Sequence, residues 1–175
     1  FELPNDPQDI ISFGGSDNAS GVDLTNLSLS HKASSSASRV VSALTSLDYA
    51  NTGSTDISTL LNLDSSIDIY SDDPIAGIGT SSDTNKYYEA NAQIFVLAYS
   101  LQAFLNEINS SSANTKTLFE SLYASIQESF DSGNTNLSEF IETSNFIDAY
   151  IDSVLTSPAS SCLLYTSPSP RDSCA

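Results

Sequence analysis

From Tyr87 to Ile108 the apolar positions Tyr87, Ala90, Ile94, Leu97, Leu101, Phe104 and Ile108 recur at alternating steps of three and four. That spacing draws one stripe along a helix, so the segment is predicted to be a long helix packed on other helices. Every residue from Ile94 to Tyr99 is apolar, which predicts that the middle of this helix is covered on most sides. Burying its large side chains contributes roughly 1.5–3 kcal/mol each, the largest single stabilising contribution expected in the chain.

The other segments are shorter and arrange themselves around it. Residues 1–33 read as extended: Ile10-Ile11-Ser12-Phe13 ends at Gly14-Gly15, turn residues follow from Ser16 to Gly21, and Val22, Leu24, Leu27 and Leu29 alternate with a slip near Asn26 that a bulge would absorb. This predicts a hairpin, or the last strands of a β-domain. Because an isolated strand pair is marginal, it either packs on the helices or belongs to a larger sheet. After a Ser-rich connector over Lys32–Ser38, Val40, Val41, Leu44 and Leu47 predict a helix over Ser38–Ala50, stopped by Asn51-Thr52-Gly53. Asp56 or Ser54 then caps a short helix holding Ile57, Leu60, Leu61 and Leu63, and Asp64–Pro74 is an acidic loop with Ile67, Ile69 and Tyr70 turned inward. One helical turn is expected over Pro74–Ile78, with Asp73 as its cap.

Ser82 or Asp83 is the expected cap of the long helix. Leu118, Leu122, Ile126 and Phe130 predict an amphipathic helix over Asn114–Ser132, with Gly133 as its stop. Leu137, Phe140 and Ile141 make a further helical turn, and a last helix begins at Ser144, buries Ile147, Tyr150, Ile151 and Val154, and closes at Pro158. Short connections imply antiparallel neighbours. The expected fold is mainly α: an antiparallel helical bundle around a long central helix, with a short N-terminal β-hairpin or strand remnant.

The C-terminal residues change the cysteine count. Cys162–Asp172 spells the codon-by-codon translation of a common sequencing-library adapter, so 162–175 is set aside as an artefact tail. This leaves strands of a truncated β-domain over 1–33 and a helical module over 34–161. The chain starts at Phe1 and contains no Met, so both natural termini are expected to lie outside it. Both cysteines fall in the tail, which removes disulfides, thiolate metal sites and Cys nucleophiles from consideration. Dropping Arg171 and Asp172 takes one from each charge count, and the net charge stays at −17. Such a surface repels nucleic acid and anionic lipid and favours cations or a saline exterior. No apolar run approaches the ~20 residues of a membrane span.

Few residues offer chemistry. His31 is the single imidazole and reads as a surface histidine at a strand end; no Gly-x-Ser-x-Gly elbow presents a nucleophile to it. The acids are spread over loops and polar helix faces, without the carboxylate pair of a glycosidase cleft. Gly77-Ile78-Gly79 is too short to cradle a phosphate and reads as a turn. Asp64, Asp68, Asp72 and Asp73 form the candidate metal site, because calcium takes clustered oxygen ligands. They lack the spacing and bidentate Glu of a helix-loop-helix site, as does Asp17–Asp23. The Asn-x-Ser sequons at Asn18, Asn26, Asn109 and Asn136 follow from composition, and Tyr87, Tyr88, Phe95, Tyr99 and Phe104 read as core.

The order of segments carries a resemblance. Gly14-Gly15-Ser16-Asp17 before a strand is followed by Val40-Val41-Ser42-Ala43-Leu44-Thr45-Ser46-Leu47 and by Leu61-Asn62-Leu63 ahead of Ile67-Asp68-Ile69. Asp73-Pro74-Ile75-Ala76 and the helix opening Ala90-Asn91-Ala92-Gln93-Ile94 complete the series. Over about 10–155 this resembles a helical module of large multidomain exported bacterial proteins, of the type with cadherin-like or calcium-binding repeats. Ala43 stands where that module usually has Pro, and Asn62 where it usually has Gly. The resemblance implies an extracellular or cell-surface location and a structural or adhesion-associated role. It also implies partners among neighbouring β-repeat domains of the same chain, or a surface glycan or protein. The alternative is a calcium- or glycan-binding module that uses the acidic loops. No enzyme activity, no nucleic-acid partner and no cofactor other than possible calcium are expected.

Overall fold

The computed structural model describes residues 8–16, 23–33, 40–51, 53, 55–108, 115–133 and 137–142. These are mainly helical, with one two-stranded antiparallel sheet. The strands are β1 (Gln8–Phe13) and β2 (Ser28–Ala33), paired with Ile11 opposite Ser30 and Ile10 opposite His31. Gly14 and Gly15 leave β1 at positive φ. The expected slip near Asn26 is a turn and not a bulge: the Leu27 amide donates to the Leu24 carbonyl at 3.1 Å, and the Thr25 amide donates to Asp23 Oδ1 at 2.9 Å. A short side chain that accepts from the backbone two residues on favours a turn over a strand.

Helix α1 (Ala43–Tyr49) starts five residues later than expected. Ser42 is extended and closes a capping box with Thr45, its amide donating to Thr45 Oγ1 at 2.8 Å while Ser42 Oγ accepts from the Thr45 amide at 3.3 Å. Upstream of that box Val40 is not helical, and its amide donates to the Tyr70 carbonyl at 3.1 Å. The next orphan donor of α1, the Leu44 amide, donates to Asn91 Oδ1 at 3.3 Å. Helix α2 (Ile57–Leu60) is capped by Asp56, which accepts from the Ser58 and Thr59 amides. It ends at Asn62, whose φ of 50° is left-handed.

Helix α3 (Ser82–Ile108) is the long helix. Its cap is Ser81, one residue before the expected position: Ser81 and Thr84 exchange the same pair of hydrogen bonds as Ser42 and Thr45, at 3.2 and 3.1 Å. Its buried face also differs from the expected stripe. Tyr87, Ala90 and Ile94 are buried as expected, but from there the buried row runs through Ala98, Gln102 and Leu105. Leu97 and Leu101 are only partly buried, and Phe104 is 43% exposed. Nor is the apolar run covered on most sides, since Val96 is 59% exposed. Helix α4 (Thr115–Asp131) buries Leu118, Leu122 and Ile126 as its spacing predicts, together with Phe119 and Tyr123. Gly133 ends it at a φ of 107°. Helix α5 (Leu137–Glu142) buries Leu137 and Phe140. The helix expected from Ser144 lies outside the described residues.

Packing is centred on α1, a helix of only seven residues. Helix α1 packs against β2, α2, α3 and α4, whereas α3 packs against α1 and α4. All of Ala43–Leu47 is buried, including the hydroxyls of Thr45 and Ser46. Those hydroxyls face the edge of β2 turned away from β1. The Ser30 amide donates to Ser46 Oγ at 2.8 Å, and Thr45 Oγ1 donates to the Ser30 carbonyl at 3.2 Å. A sheet edge left bare under apolar cover would cost the desolvation of both groups, so the two helix hydroxyls stand in for a third strand.

Candidate functional site

The hairpin's inner face brings His31 into the core. The histidine expected at the surface is 1% exposed, because β2 alternates and this position looks toward the helices and the 64–73 loop. Its ring packs on Tyr70, with centroids 5.5 Å apart and the planes tilted by 37°. Neither ring nitrogen has a hydrogen-bond partner among the described residues. Burial holds the imidazole below its ordinary pKa, against a weaker upward pull from Asp48 and Asp68.

Tyr70 and Asp48 complete the cluster. The Tyr70 hydroxyl donates to Asp48 Oδ2 at 2.8 Å. Burial raises the Asp48 carboxyl above the usual carboxylate range; the Tyr70 hydrogen bond works against this, and Asp56 adds to it. Burial, then the bond to Asp48, raises the Tyr70 phenol. The sequence turns Tyr70 inward, as it is found, but gives it no partner, and nothing local marks Asp48, in the last turn of α1, as different from the other acids. The cluster is no proton relay in this geometry, because the imidazole hydrogen-bonds neither of its neighbours.

The 64–73 loop uses its carboxylates on itself. Asp64 Oδ1 accepts from the Ser66 amide at 2.8 Å and Asp73 Oδ1 from the Ile75 amide at 2.8 Å. Asp68 accepts from the Tyr70 amide at 3.0 Å and the Ser71 hydroxyl at 2.7 Å, while Asp72 Oδ2 accepts from the Asp68 amide at 2.8 Å. Asp68 and Asp72 are thus brought together, and Asp64 and Asp73 make separate turns. Among the described residues no three His, Cys, Asp or Glu side chains are placed to hold a metal ion. Of the second acidic loop, Asp23 spends its carboxylate on Thr25, and 17–22 lie outside the described residues.

Helix α3 is tied to this loop through Tyr87 and to the residue that ends α2 through Lys86. The Tyr87 hydroxyl donates to the Asp72 carbonyl at 3.0 Å, and Lys86 Nζ donates to the Asn62 carbonyl. The aromatics of α3 divide between surroundings: Tyr87 is buried, Phe95 and Tyr99 stack at 6.4 Å, and Tyr88 and Phe104 are exposed. Gly77 and Gly79 lie in successive turns, as expected. Of the four sequons only Asn26 lies within the described residues, and it is exposed.

Among the described residues no helix is long and apolar enough to cross a membrane. No family model matches this chain, and neither the curated proteins nor the solved structures contain a match to it.

Proposed function

We propose that this chain is a non-catalytic helical module of a large secreted or surface-exposed bacterial protein, with a structural or adhesion-associated role. In this reading α1, α3, α4 and α5 form an antiparallel bundle, with α3 as its long member and α1 as its buried plug. The neighbours of the module are β-repeat domains of the same chain, and its outer partner is a surface glycan or protein.

The observation that carries this reading is how the polar groups are spent. Asp56, Asp64, Asp68 and Asp73 cap or turn the backbone, and Ser42, Thr45, Ser46 and Thr84 close helix starts and a strand edge. Chemistry-bearing side chains are here used to hold shape, which suits a module that transmits position and not a reaction. The net charge of −17 supports an exposed, soluble surface in a saline medium.

Long-read sequencing of the source DNA tests the proposal. A reading frame that continues into an export signal and tandem β-repeats supports it; a short frame with no export signal and no repeats overturns it. The calcium- or glycan-binding alternative rests on the charge of the 64–73 loop, and a calcium titration decides it.

A further inference from the structure

His31 is buried where the hairpin meets the helical part of the chain, and its ring is the one polar group of that contact with no bond on either nitrogen among the described residues. The rest of the contact is satisfied. Ser30, its neighbour, is held by Ser46 and Thr45, while Leu27 is buried and Leu29 packs against the core. The charged and titratable groups around the imidazole are mostly acidic. Asp48 faces it from α1, and Asp68 and Tyr70 face it from the 64–73 loop; Asp56, at the start of α2, acts on Asp48 and Tyr70. Lys32 is exposed on the opposite face of the strand, and Asp9 of β1 accepts from the Tyr49 hydroxyl of α1 at 3.1 Å.

We propose that His31 is a proton-operated latch: neutral, it lets the β1–β2 hairpin close over α1 and the 64–73 loop, and protonated, it drives the hairpin open.

A neutral imidazole in this place leaves one N–H and one lone pair unbonded, which is tolerable because the ring still packs on Tyr70. Protonation turns the lone pair into a second N–H and adds a charge, and a buried charge without hydrogen bonds costs far more. Asp48 and Asp68 attract that charge through space, yet neither carboxylate hydrogen-bonds the ring, and Asp48 Oδ2 already accepts from Tyr70. Burial is therefore the larger influence on the ring. Hydration is the remaining way to satisfy the imidazolium, and it requires β2 to lift. A two-stranded hairpin has little stability of its own, so it can leave as a unit while α1, α3 and α4 stay packed.

The direction follows from the folded-state pKa lying below the ordinary value of 6.5. The closed hairpin has its full stability above that value and loses it as pH falls from there to the folded-state midpoint. Over that window the opening constant rises by about tenfold per pH unit.

The single imidazole makes the test direct. Its Cε1–H proton resonance is followed against pH on the full chain, alongside amide exchange of β1, β2 and α3 corrected for intrinsic rates. The expected result is an imidazole midpoint below 6.5, exchange at 8–13 and 28–33 that rises toward tenfold per unit of acidification, and unchanged protection in α3. The hairpin of a His31→Phe variant should show no such pH response. If that variant does not fold, the parent still decides, because latch opening must share the imidazole's midpoint. An imidazole midpoint at or above 6.5 overturns the proposal, as does hairpin protection that ignores pH. So does a pH response that survives His31→Phe but is abolished by Asp48→Asn.

Discussion

The amide of Ser30, on the second strand, donates its hydrogen bond to the side-chain oxygen of Ser46, inside helix α1, at 2.8 Å. A helix hydroxyl thereby ends a β-sheet. Replacing Ser46 by Ala leaves the Ser30 amide half-buried without that acceptor, which should cost about 1–3 kcal/mol. Urea denaturation followed by circular dichroism measures it, and a midpoint equal to the parent's would mean the strand edge is satisfied in another way.

Asn62 sits at a φ of 50°, in the region where a Cβ collides with the following carbonyl. Asn tolerates this better than most residues, and Gly carries no penalty there at all. Asn62→Ala should therefore destabilise by about 1 kcal/mol while Asn62→Gly leaves stability unchanged or slightly raised. Thermal melts of the two variants separate these outcomes; equal losses would point to the Asn62 side chain and not to the backbone.

The buried face of α3 can be mapped by charge. Ala98 is fully buried and Val96 is 59% exposed, although both belong to the same apolar run. Ala98→Asp should lose more than ~3 kcal/mol, because it places an unpaired carboxylate in the core. Val96→Asp should stay within about 0.5 kcal/mol of the parent. The reverse order would mean that the face carrying Val96, and not the one carrying Ala98, is buried.

Asp48 gives a pH dependence opposite in sign to that of His31. Its folded-state pKa is raised above the ordinary 3.8, so its contribution is fully present below that value and is lost as pH rises through the folded-state midpoint. An Asn at this position still accepts from the Tyr70 hydroxyl and carries no charge to desolvate. Asp48→Asn should then be more stable than the parent at pH 7 and no more stable at pH 3, as read by urea midpoints at the two values. A variant less stable at pH 7 would show that the charge itself is used.

One carboxylate oxygen each of Asp64, Asp72 and Asp73, and both of Asp68, accept from neighbouring amides or a hydroxyl. Calcium would have to displace those bonds to assemble a shell of six or more oxygens. Differential scanning calorimetry with millimolar calcium and with chelator should give the same melting temperature. A rise with calcium that disappears in Asp68→Asn would establish a site.

Much of this architecture was legible in the chain because it is local. Leu118, Leu122 and Ile126 at steps of four, Gly133 after them, and Asp56 ahead of Ile57 are signals read over a few residues, and the structure follows each one. The capping boxes Ser42–Thr45 and Ser81–Thr84 are equally local, but Thr at the third position is a weaker sign than Glu or Gln, and the starts of α1 and α3 differ from the expected ones by five residues and one.

The kind and rough extent of the helices and strands follow from the chain's local pattern, since hydrogen bonds to the fourth neighbour and alternation along a strand depend on residues close in sequence. Which face of α3 is buried follows instead from packing between segments. The rows through Leu97, Leu101, Phe104 and through Ala98, Gln102, Leu105 are both compatible with a helix, and contact with α1 and α4 chose the second. Packing also decided that seven residues of α1 take the centre, and that His31, Tyr70 and Asp48 meet. Their meeting is a consequence of packing between segments far apart in the chain, and desolvation, which sets their chemistry, exists only once that packing has formed.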